Sequence, residues 1–196
     1  MNIPIKSSSG YSTMPIESRL MSERIIFIVG EITQESAMET CKELLFLALD
    51  NKNRPIDIII NSNGGAVDAG LMILDAMVTS ELEIHTWCFS EAYSMAALLF
   101  SAGKKRYLFR NAKLMIHQPI VSASHIEGNA LMIKSVSDSL LATSRKINEI
   151  LSSNTKKTVK EIEEATRTDH YFTAKEAIGF GLADEIVTFS ALIKKG

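Results

Sequence analysis

Short runs of β-branched apolar residues alternate along the chain with longer segments in which apolar positions recur every three or four residues. The runs at 24–29 (RIIFIV, closed by Gly30), 56–60 (IDIII, after Pro55) and 84–89 predict three buried strands. The stretches 106–109 and 114–117 predict two shorter ones. Thr33 caps a predicted helix whose Met38, Cys41, Leu45, Ala48 and Leu49 share one face and which ends near Asn51. A second helix is predicted over 66–79, with Leu71, Leu74, Ala76 and Met77 inward, and a third over 96–101, stopped at Gly103. One long amphipathic helix is predicted over 126–153, apolar at Ile126, Ala130, Ile133, Leu140, Ile147 and Leu151, and shorter helices over 159–165 and 174–180. Residues 1–18 are Ser-rich with little periodicity and read as a mobile arm. Strands alternating with helices at this spacing imply an α/β fold with a mainly parallel sheet. With no internal repeat and no low-complexity linker, residues 1–196 read as a single domain.

Composition narrows the function classes. Hydrophobic residues make up 46% of the chain and charged residues 22%, as a packed core requires. A formal net charge of −2 gives no electrostatic reason to bind nucleic acid or an anionic membrane. Cys41 and Cys88 form no C-x-x-C pair, and no Cys/His cluster has metal-ligand spacing, so no metal site is expected and the thiols read as buried in a reducing cytosol. No stretch reaches the roughly 20 apolar residues of a membrane helix, and the N-terminus lacks a signal-peptide pattern. A soluble, cytoplasmic protein is expected.

Two loops follow predicted strands and open predicted helices, where α/β proteins place their sites. Asn61-Ser-Asn-Gly-Gly65 can bring backbone N–H groups close to an anion or oxyanion; on local sequence alone it reads first as a tight strand-to-helix connection, and it is neither a P-loop nor a dinucleotide loop. Ser94 stands at the second junction, where the N–H of Met95 can face a developing negative charge. A serine there also reads as a helix cap. A serine nucleophile needs a base. His85 lies inside a strand, His125 precedes a polar helix start, and His170 sits in a polar segment. His117 ends an apolar strand and should project from its tip, although a satisfied core histidine fits the spacing as well.

The strings Ser94-Met95, Met115-Ile-His-Gln-Pro119, Asp169-His-Tyr-Phe-Thr-Ala174 and Gly181-Leu-Ala-Asp184, with Ile60-Asn-Ser-Asn-Gly-Gly65 and Ile16-Glu-Ser-Arg-Leu20, resemble the proteolytic subunit of the Clp protease, the ClpP family, over nearly the whole chain. The resemblance implies the crotonase-like α/β ClpP fold, with mainly parallel sheet turns, flanking helices and a projecting handle helix at about 126–153. It implies a serine endopeptidase that hydrolyses unfolded proteins and peptides inside a ring chamber. In it Ser94 is the nucleophile, His117 the base and Asp169 the orienting carboxylate. Gly65 and Met95 supply the oxyanion hole, and Gly64, Ile120, Val121 and Ser122 touch the substrate. It further implies heptameric rings stacked as a homo-tetradecamer, an axial N-terminal segment, and an AAA+ unfoldase of the ClpX, ClpA or ClpC type. The unfoldase uses the ATP, and the peptidase itself needs no cofactor.

The chain departs from the family pattern at several places. Asn63 stands where Pro is usual, Ser90 where Gly is usual, and the large Tyr93 where Ala precedes the nucleophile. Residues 120–125 replace a Gly-rich strand, and Arg167-Thr168 replaces an Asp-Arg pair of the ring-to-ring contact. These changes suggest a divergent member, and an alternative in which it is a weakly active or regulatory paralogue in a mixed complex with a second ClpP-type subunit. An acyl-CoA enzyme of the crotonase fold is a further alternative, but such enzymes do not need a Ser/His/Asp set.

Overall fold

The structure is a computed structural model that describes residues 1–7, 10–121 and 128–193. In chain order its elements are β1 (Asn2–Ser7), β2 (Gly10–Pro15), α1 (Ile16–Ser22), β3 (Ile25–Ile32), α2 (Gln34–Asp50), β4 (Ile56–Gly65), α3 (Val67–Thr79), β5 (Ile84–Tyr93) and α4 (Met95–Ser101). There follow β6 (Lys105–Phe109), β7 (Lys113–Ile116), α5 (Ala130–Thr155), α6 (Val159–Ala165), β8 (His170–Thr173), α7 (Ala174–Phe180), β9 (Glu185–Val187) and α8 (Phe189–Ile193). This is a mixed α/β fold with a mainly parallel central sheet, in the strand order β3-β4-β5-β6-β9.

The isoleucine runs form the centre of the sheet because both its faces are covered. Ile56, Ile58 and Ile60 of β4 are fully buried, as expected for parallel strands walled by helices. Helix α4 lies entirely inside: all of Met95–Ser101 is buried. That leaves its residues no solvent-facing side, which is why the segment reads as a plain apolar run.

The central strands run longer than their apolar cores. β3 continues past Gly30 to Ile32, through a register shift between Val29 and Glu31 with Gly30 at φ 76°. β4 continues through the Asn61–Gly65 stretch that reads as a turn, pairing Glu31 with Gly64 and Ile32 with Gly65. β5 forks. On one edge its first half pairs with β6 and Glu91–Tyr93 pairs with β7, while on the other edge β4 pairs with it as far as Ala92. This fork delivers the end of β5 beside the end of β7.

Other expectations are corrected. Residues 1–18 do not lack regular structure: β1 and β2 form an antiparallel hairpin, followed by α1. In α2 the core face is Ala37, Thr40, Leu44 and Leu47, while Met38, Leu45 and Leu49 are exposed. The helix is apolar around much of its circumference: of the predicted face only Cys41 and Ala48 are half-buried, at the edge of the true core face. Arg24 is not a strand residue. It sits buried just before β3, at φ 65°, with its guanidinium donating to the Leu47 carbonyl at 3.0 Å and to Asp50 at 3.2 Å. The long helix is described from Ala130 to Thr155, capped by the Asn129 side chain, and residues 126 and 127 lie outside the described residues. Its buried positions, Ile147, Asn148, Leu151 and Thr155, all fall toward its C-terminal end, so the first half projects. Among the described residues no helix is long and apolar enough to cross a membrane.

Candidate active site

Three chain segments meet at the carboxyl ends of β5 and β7. The backbone N–H of Ser94 donates to the Met115 carbonyl at 2.8 Å, which continues the β5–β7 pairing by one residue. The N–H of Gln118 donates to the Thr166 carbonyl at 3.0 Å and ties the segment after β7 to the turn before β8. β7 and β8 are antiparallel, with Met115 opposite Tyr171 and Ile116 opposite His170. The residue after Ile116 and the residue before His170 therefore face one another. They are His117 and Asp169.

Ser94 has φ 54° and ψ −122°, a conformation that L-residues avoid and that costs on the order of 1–3 kcal/mol. As N-cap residue of α4 it makes no side-chain capping hydrogen bond. Its hydroxyl instead lies 2.8 Å from His117 Nε2. On the other side of the ring, His117 Nδ1 lies 3.2 Å from Asp169 Oδ1. The histidine side chain is 17% exposed and the aspartate 58%. A carboxylate on Nδ1 favours the tautomer with its proton there, which leaves Nε2 free to accept from Ser94.

Gly64 packs against the Ser94 turn. A Cβ there would lie 2.7 Å from the Tyr93 carbonyl oxygen, 2.9 Å from Ser94 Cβ and 3.1 Å from the Met95 nitrogen. Its N–H donates to Ser62 Oγ at 3.0 Å. Gly65 is pressed on β3, where a Cβ would come within 2.2 Å of the Ile32 carbonyl oxygen. The Met95 N–H opens α4 and has no carbonyl one turn earlier within the helix to accept it.

Ser94 and His117 also border a small crevice closed by Leu98, Ile147 and Leu151, of about 20 Å³. Ile120 and Val121 line a wider groove of about 450 Å³ that shares Val67 and Pro119 with it. Ser122 and His125 lie outside the described residues. The other two described histidines stand apart from Ser94: His85 is buried between Asp57 and Glu83, and the His170 ring stacks on Phe172 at 4.2 Å.

Sequence reasoning missed the parts that hold the segments in place. Thr166 is fully buried, and its hydroxyl donates to the Ile162 carbonyl at 2.9 Å, so the turn that leads to Asp169 hangs from α6. A buried threonine after a capped helix carries no motif. Its only sequence signal is the Thr158–Glu161 capping box that starts α6.

A family model described as Clp protease matches residues 8–190. The chain belongs to the Clp protease family. The match spans the hairpin strand β2, the whole central sheet and every residue of the site above. Membership makes the chain a Clp-type peptidase, a hydrolase of peptide bonds, in a family that generally forms ring oligomers with AAA+ partners.

Proposed function

We propose that this Clp-type peptidase is a serine endopeptidase in which Ser94 is the nucleophile, His117 the general base and Asp169 the residue that orients the imidazole. The observation that carries the reading is the continuous contact Ser94 Oγ to His117 Nε2 at 2.8 Å and His117 Nδ1 to Asp169 at 3.2 Å. The strained backbone of Ser94 supports it, because a capping serine has no need of such a conformation.

In this mechanism the Ser94 proton passes to Nε2 as Oγ attacks the substrate carbonyl carbon. The oxyanion is stabilised by the N–H groups of Met95 and Gly65. The imidazolium then gives its proton to the leaving amine, and an acyl-enzyme ester remains on Ser94. Water, activated by the same imidazole, releases the product acid and restores the hydroxyl. Every proton is carried by the chain's own groups, so the peptidase step needs no cofactor, and ATP is consumed by an AAA+ partner that supplies unfolded polypeptide. Gly64 holds the Ser94 turn, and Ile120 and Val121 border the substrate.

The exposed apolar side chains of α2, with Leu49 80% exposed, and of the projecting half of α5, with Leu131 78% exposed, support a ring oligomer. A mixed ring with a second paralogue is the alternative, motivated by residues 120–125 and by Arg167-Thr168, which replace the family's usual residues of the ring-to-ring contact. Labelling with a fluorophosphonate, read together with assembly size, tests the proposal. Modification of Ser94 alone in an assembled sample, abolished in Ser94→Ala, supports it. Labelling of another serine, or peptide turnover retained by Ser94→Ala, overturns it. Activity of the chain alone separates a homo-oligomer from an obligate mixed ring.

A further inference from the structure

The groove beside the catalytic crevice has one charged wall. It measures about 450 Å³, a size that accepts a small ligand or an extended side chain. Apolar surface comes from Val67 of α3 and from Val136 and Leu140 of α5. Hydroxyls come from Ser135, Ser139 and Thr143, spaced at four-residue intervals so that they fall on one stripe of α5. Asp68, in the first turn of α3, is the only charged residue on the wall among the described residues, and no Lys, Arg or His there forms an ion pair with it.

This pattern matches a side chain that is apolar along its stem and cationic at its tip. We propose that the groove selects peptides carrying lysine or arginine at a residue flanking the scissile bond. The stem lies on Val136 and Leu140, and the cationic head meets Asp68 and the α5 hydroxyls. An acidic side chain is rejected there by charge repulsion. A norleucine side chain fits the stem surface but leaves the carboxylate without a partner. The inference rests on the Ser94 peptidase reading, because the groove adjoins the crevice of Ser94 and His117, with Val67 and Pro119 lining both.

Fluorogenic peptides that differ only in lysine, norleucine or glutamate at each flanking position test it, by kcat/KM with the wild-type assembly and by fluorescence anisotropy with Ser94→Ala. The lysine peptide should exceed the norleucine peptide by about tenfold in both readouts. The advantage should fall to about twofold in Asp68→Asn, shrink in high salt, and turn toward glutamate in Asp68→Lys. Equal binding of lysine and norleucine peptides, or a preference unchanged in Asp68→Asn, overturns the inference. Turnover that survives Ser94→Ala overturns the peptidase reading instead, and the binding arm still decides the groove.

Discussion

The rings of Tyr93 and Tyr171 meet edge to face, with centroids 5.6 Å apart, across the strand that leads into His117. Tyr93 pairs with Met115 on β5–β7, and Met115 pairs with Tyr171 on β7–β8. One row across three strands therefore stands beside the candidate triad: Ser94 follows Tyr93, His117 lies two residues after Met115, and Asp169 two residues before Tyr171. The Tyr93 phenol is pushed above its usual range by burial first and then by the nearby Glu91 carboxylate. The large residue before the nucleophile thus packs sideways along the sheet, onto β8, the strand that Asp169 leads into.

This row predicts coupling between the two tyrosines. Tyr171→Ala and Tyr93→Ala should each lower kcat by about tenfold to a hundredfold through loosening of Asp169. Tyr93→Phe, which keeps the ring, should stay close to wild type. A double-mutant cycle on thermal stability should return about 0.5–1.5 kcal/mol of coupling, the range for aromatic pairs. Strictly additive effects would count against the row.

The sequence exposed the apolar cores of the strands and the capped helix starts, because burial and capping are local chemistry. Thr33 caps α2 as expected, with Ser36 N–H donating to its hydroxyl at 3.2 Å. Strand ends were less legible. The Asn61–Gly65 stretch carries every turn signal yet pairs with β3, since a neighbouring strand satisfied its backbone groups. The residue types of the site were legible in Ser94 and His117, but local spacing favoured a cap at Ser94 and left a core histidine as an equal reading at His117, and the choice came from the family resemblance. The contacts that join Thr166, Gln118 and Tyr171 to the site were not legible, because they pair segments far apart in the chain.

Relief of strain at Ser94 supplies a second prediction. Glycine adopts φ 54° without penalty. Ser94→Gly should therefore abolish peptide hydrolysis while raising the melting temperature by a few degrees, as about 1 kcal/mol of relieved strain does for a domain of this size. Ser94→Ala, which keeps a Cβ, should be equally inactive without the gain. Differential scanning calorimetry of the two variants distinguishes them, and a lower melting temperature for Ser94→Gly would show that the backbone there is not strained.

The two adjacent glycines should differ in what they disturb. A methyl group at Gly64 strikes the Tyr93 carbonyl and the Ser94 turn, whereas one at Gly65 strikes the β3 backbone. Gly64→Ala should displace the nucleophile, lowering the rate of fluorophosphonate labelling by at least about tenfold. Gly65→Ala should cost more in stability, on the order of 1–3 kcal/mol, by prying β4 from β3, and should slow labelling only as far as that shift moves its oxyanion-hole N–H. Labelling rates and urea midpoints measured on both variants separate the effects. Equal losses on both measurements would contradict the packing described.

Glu161 gives the fold of the site a definite acid dependence. Its carboxylate accepts from the Thr158 backbone N–H and hydroxyl, both at 2.8 Å, and from Lys157 at 3.2 Å. These contacts, the backbone one foremost, bring its pKa down from 4.5 to about 2. Because the folded value is the lower of the two, the charged cap contributes in full at neutral pH. That contribution drains away as the pH falls from about 4.5 toward about 2. Glu161→Gln keeps an acceptor for the Thr158 N–H but not the charge, so wild type should exceed the variant in stability at pH 7, and the gap should close by about pH 2. Helix α6 ends at the buried Thr166 whose carbonyl holds Gln118. The variant should therefore also slow labelling of Ser94 at neutral pH by a few fold, since the segment bearing Asp169 is suspended from that helix. Denaturant midpoints measured across the acid range check the first effect, and a stability gap that persists at pH 2 would show that Glu161 acts through packing and not through its charge.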